Sequence, residues 1–102
     1  MKQEVFNIRL EYRTEEVTLT ILPREKYYKV IYFGGVMGAV YCVAGKWNWI
    51  EAKDLEGGDL PMYIPDQKAD RLELVPDKHV VNSIGREIEL HINPSDNIYG
   101  NK

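Results

Sequence analysis

The stretch that decides the fold is Val17–Ile50, VTLTILPREKYYKVIYFGGVMGAVYCVAGKWNWI. Apolar and polar residues alternate through it, and short glycine-bearing breaks fall at hairpin spacing. Val17, Leu19 and Ile21 oppose Thr18 and Thr20, the period of a half-buried strand, and Pro23 ends that strand because proline cannot donate to a ladder. Tyr27–Phe33 is aromatic and β-branched, which suits a third strand. Gly34-Gly35 offers the positive φ that a two-residue hairpin needs, and this reading pairs Phe33 with Val36. One face then carries Lys29, Ile31 and Phe33 beside Val36, Gly38 and Val40, and the other Tyr28, Val30 and Tyr32 beside Met37, Ala39 and Tyr41. Ala44-Gly45 closes the next hairpin, placing Trp47 opposite Cys42 and Trp49 opposite Val40. Both faces of this central hairpin are apolar, so each calls for a cover.

Upstream, Phe6, Ile8, Leu10 and Tyr12 alternate with Asn7, Arg9 and Glu11 as a first strand, and Arg13-Thr14-Glu15 forms its turn. The sheet therefore spans residues 3–51. Downstream, an acidic loop over 52–71 is broken by Gly57-Gly58, Pro61 and Pro65, and a short strand follows at 72–75. Pro76-Asp77 opens a helix over about 77–91, with Asp77 as N-cap and Val81, Ile84, Ile88 and Ile92 as its apolar stripe. A rival reading ends the helix early, because Ile88, Leu90 and Ile92 also alternate as a strand and Gly85 weakens a helix by about 1 kcal/mol. Residues 95–102 read as a frayed tail. The expected fold is α+β, an antiparallel β-meander of about five strands with one C-terminal helix packed on a face.

The chain has 102 residues, 44% hydrophobic and 28% charged, which fits one domain of ordinary globular composition. Its net charge of −3 is uneven, since residues 51–77 hold eight acidic and three basic side chains. An acidic excess gathered in one segment argues against nucleic acid as a partner. No apolar run approaches the roughly 20 residues that span a bilayer. A single cysteine and no apolar leader favour a cytoplasmic setting.

No set of residues here carries a recognised chemistry. Cys42 lies mid-strand and reads as a buried structural thiol. His79 and His91 are twelve residues apart, about 120° of helical rotation, and cannot share a ligand. Asp54, Glu56, Asp59 and Asp66 lack the alternate-position spacing of a calcium loop. Gly34-Gly35-Val36-Met37-Gly38 lacks the Lys-Ser/Thr and following helix of a phosphate loop. The expectation is accordingly a non-enzymatic domain with no catalytic residues, metal or cofactor.

The aromatic residues are the distinctive feature. A helix laid on the face of Ile31, Val40, Trp47 and Trp49 leaves Tyr28, Tyr32, Met37 and Tyr41 partly exposed on the other. Those four form the expected interface, most simply of a homodimer or with a protein partner. The first two strands folding over that face as a second layer would remove the argument. The alternative is a small-molecule binding protein whose pocket, between sheet and acidic loop, is walled by Trp47, Trp49, Met62 and Tyr63. A weaker third reading has Asp54, Glu56 and Asp59 occupy the basic site of another protein.

Overall fold

The computed structural model describes residues 4–55, 61–63 and 74–92. Five strands, β1 (Phe6–Tyr12), β2 (Glu15–Pro23), β3 (Tyr28–Tyr32), β4 (Gly35–Val43) and β5 (Lys46–Glu51), pair antiparallel in sequence order. Among the described residues a single α-helix, α1 (Lys78–Ile92), closes the fold, and a one-turn 3₁₀ segment (Ala52–Asp54) follows β5. This is the α+β meander with a C-terminal helix that the alternation implies. The short strand expected at 72–75 is not formed at Leu74 and Val75, which have no regular structure. Residues 72 and 73, most of the acidic loop and the 95–102 tail lie outside the described residues.

Three of the hairpins close through two left-handed residues each: Arg13-Thr14, Phe33-Gly34 and Ala44-Gly45, with φ between 49° and 80°. The middle one corrects the expected register. Tyr32, not Phe33, pairs across the turn, and its partner is Gly35. Gly35 is needed for a different reason. The backbone of Tyr63 lies 2.5 Å from where a Cβ at position 35 would stand, so only glycine admits the segment 61–63. That segment joins the sheet beside β4: the Val36 N–H donates to the Pro61 carbonyl at 2.8 Å and the Tyr63 N–H to the Val36 carbonyl at 2.9 Å. Phe33 takes the left-handed turn position in glycine's place, a strained conformation for a bulky residue, and its ring packs edge-on against Tyr32 at 4.6 Å.

A bulge then inserts Met37 opposite the Val30–Ile31 step. Beyond it Val40 pairs with Tyr28 and Gly38 with Val30, one residue away from the expected register. A one-residue slip exchanges the faces of a strand. Tyr28, Val30 and Tyr32 therefore share a face with Val40, Trp47 and Trp49, while Lys29, Ile31 and Ala39 are buried on the other. The pairing of β4 with β5 is as expected, Cys42 with Trp47 and Val40 with Trp49.

The core lies between the first of these faces and the helix. Leu19, Ile21, Val30 and Val40 meet Val80, Val81, Ile84 and Ile88, all buried. The helix contacts both edge strands, β1 and β5, as well as β4. At about 1.5 Å rise per residue the fifteen-residue helix is about 22 Å long, enough to reach across the roughly 19 Å between the two edge strands of a five-stranded sheet. On the β1 side the seam is closed by Phe6 stacked on His91 at 3.8 Å and by the Val75 N–H donating to the Tyr12 hydroxyl at 3.3 Å.

The helix begins as the sequence indicates. Asp77 Oδ1 accepts the Val80 N–H at 2.9 Å, satisfying one of the open donors of the first turn. It also runs unbroken through Gly85 to Ile92, which excludes the rival strand over 87–92. Gly85 persists because the Trp47 ring lies flat on it, 2.3 Å from where a Cβ would be. Substituting Gly85→Ala in an exposed helix would stabilise by about 1 kcal/mol. Here the methyl would strike a ring wedged between sheet and helix, and the expected result is a loss of about 1–3 kcal/mol in a denaturant melt.

Candidate functional site

Trp47 and Trp49 stand two residues apart on β5 and so project from the same face. Each indole rests on a glycine: Trp47 on Gly85 of the helix, and Trp49 on Gly38 of β4, where ring atoms come within 2.4 Å of an imagined Cβ. Both rings are only half-buried. Trp47 is held further by its Nε1–H, which donates to Glu89 Oε2 at 3.0 Å, and by Tyr28, whose ring lies 6.1 Å away at a tilt. The Trp49 Nε1–H is buried with no hydrogen-bond partner. Burial pushes the Tyr28 hydroxyl above its ordinary range, and the neighbouring Cys42 adds to the shift.

Past Gly85 toward its N-terminus, the helix parts from the edge of β5. The gap is a half-open cleft of about 670 Å³, within the usual range for small-ligand sites. Trp47 and Trp49 line it from the sheet, and Pro76, Val81 and Asn82 from the helix side. Lys46 and Lys78 stand at its margin with Asn48, and no aspartate or glutamate is among the described lining residues. On the β5 side the seam is closed at Gly85 and Glu89 by Trp47 and open toward the N-terminal end of the helix.

The structure brings together only part of what the sequence suggested. Trp47 and Trp49 do share a cavity. Met62 and Tyr63 do not join them; they lie at the opposite end of β4, beside Gly35 and Val36, with the Tyr63 ring 5.3 Å from Tyr32. The expected face of Tyr28, Tyr32, Met37 and Tyr41 is divided by the register slip. Tyr32 is buried at 4% exposure, and Tyr28 and Met37 pack half-buried against the core. Tyr41 alone turns to the outer face with Lys29, Ile31 and Ala39.

Cys42 is exposed, not buried, as are Val43, Ala44, Gly45 and Lys46 at the tip of the β4–β5 hairpin. His79 is exposed at the start of α1, while His91 stacks on Phe6. Asp54 is exposed; Glu56, Asp59 and Asp66 lie outside the described residues. Among the described residues no three His, Cys, Asp or Glu side chains converge as a metal site, and no helix is long and apolar enough to cross a membrane.

Sequence reasoning missed the helix side of the cleft. A signal was present, since Lys78, Val81 and Asn82 precede Gly85 by seven, four and three residues and so share its side of the helix. What was lacking was the knowledge that Gly85 faces Trp47. No protein-family model matches the chain, and no curated protein or solved structure shows a significant similarity to it.

Two measurements follow from this geometry. Trp49→Phe removes a buried donor that has no partner while keeping most of the ring, and its stability should stay within about 1 kcal/mol of wild type. Trp49→Ala should lose about 3–5 kcal/mol in the same urea titration. Tyr28 ionises less readily in the folded chain, so the unfolded chain releases this proton first as pH rises past about 10. Stability from this source is intact below that pH and is lost above it. The denaturation midpoint of Tyr28→Phe should therefore fall less steeply between about pH 9 and 11 than that of wild type.

Proposed function

We propose that this protein is a small-molecule binding module that works through the cleft between β5 and α1, without chemistry of its own. The observation that carries this reading is the pair of half-exposed indoles, each seated on a glycine, lining a cleft of about 670 Å³. Rings held in this way present a preformed apolar wall, and little side-chain freedom is lost when a ligand docks. Polar groups at the margin, from Asn48, Asn82 and the two lysines, would orient what enters.

The location of the pocket differs from the one expected at the acidic loop, but its tryptophan wall is retained. Self-association through Tyr28, Tyr32, Met37 and Tyr41 has less support, because a dimer surface needs those side chains together and accessible. A lone, exposed cysteine in a chain that forms no internal disulfide is in keeping with a reducing, cytoplasmic compartment.

The test is a fragment screen read by the two indole N–H signals in a ¹H–¹⁵N spectrum. Binders should move the Trp47 and Trp49 signals together, and Asn82→Phe, at an exposed helical position on the cleft, should block them while leaving the rest of the spectrum in place. Fragments that move neither indole, or that bind Asn82→Phe unchanged, would refute the assignment.

A further inference from the structure

We propose that the cleft selects planar aromatic molecules bearing an anionic group, an aromatic carboxylate being the simplest; this rests on the cleft being a ligand site. The planar part follows from the walls. Trp47 and Trp49 line one side, and Pro76 with the largely buried Val81 the other. A flat ring system between them would gain apolar contact and an aromatic contact with the indoles.

The anionic part follows from the margin. Lys46, at the start of β5, and Lys78, in the first turn of α1, both line the cleft. Neither is engaged in an ion pair among the described residues, and no carboxylate there lines the cleft. In a protein of net charge −3, two lysines with no lining acid make a local reversal of sign. Asp77 caps the helix through the Val80 N–H and Glu89 accepts from the Trp47 indole, and neither lines the cleft. A carboxylate directed to the margin would meet Lys46 and Lys78, with the Asn48 and Asn82 amides as further donors.

A charge series on one ring system tests this directly: 2-naphthoate, the neutral 2-naphthamide and the cationic 2-naphthylmethylamine. Each is titrated into the intact protein while the two indole N–H signals are followed. Naphthoate should bind about tenfold more tightly than the amide, the gain expected of two partly exposed charge contacts, and the amine should bind more weakly than either. The double variant Lys46→Gln/Lys78→Gln changes only exposed side chains. It should bring naphthoate down to the amide's affinity while leaving the amide unchanged. Equal binding of naphthoate and amide by the wild type would overturn the anionic selection, yet shifted indoles would keep the cleft as a ligand site. The same holds if the double variant retains the full preference. If no naphthalene moves either indole while fragments do, the ligand class is wrong; if fragments also fail, the cleft reading falls with it.

Discussion

The bulge at Met37, just beyond the closure of the β3–β4 hairpin at Tyr32 and Gly35, determines which side chains of β4 and β5 meet the helix. Strand side chains alternate with a period of two, so this one-residue shift assigns every later residue of the meander to a face. With Val40 opposite Tyr28, the helix side receives Val30, Val40, Trp47 and Trp49 as one continuous surface. The opposite assignment would set Lys29 beneath the helix and turn Val30 away from the core. Packing against the helix and the bulge at Met37 therefore reinforce one another. The bulge lets a turn that starts at Phe33 deliver Val40 to the correct side.

Three glycines show how close approach, more than turn geometry, shapes this fold. Gly35, Gly38 and Gly85 have no left-handed φ, yet each is pressed by another group: the Tyr63 backbone, the Trp49 ring and the Trp47 ring. A side chain at any of them would push the neighbouring element out by more than its packing can absorb. The two tryptophan contacts have a functional consequence as well. They anchor the inner edges of the rings and leave the outer parts beside the cleft, so the same packing that joins sheet to helix also shapes the site. The cleft lies where the N-terminal part of the helix faces the start of β5, beyond the contact of Trp47 with Gly85.

The cleft was legible in the sequence by half. Trp47 and Trp49 announce themselves, since two indoles at i and i+2 on a strand must share a face. Met62 and Tyr63 follow β5 by about ten residues and so are near the tryptophans in sequence. In the fold they lie beside Val36, at the far end of the hairpin. The buried partners Gly38 and Gly85 carry no side chain, and thus no pattern, to mark what they contact.

By itself the sequence determined the elements: alternation over Phe6–Ile50, the Ala44-Gly45 turn, the Asp77 cap and the stripe of Val81, Ile84 and Ile88. These are local properties, set by backbone sterics and by periodicities of 2 and 3.6 residues that each segment carries alone. Only the tertiary structure decided the register at Gly35, the burial of Tyr32, the exposure of Cys42 and the meeting of β5 with Lys78, Val81 and Asn82. Each of these turns on a contact between segments distant in the chain. There the energy difference between two registers lies in which surfaces pack together, and no single strand or helix contains that information.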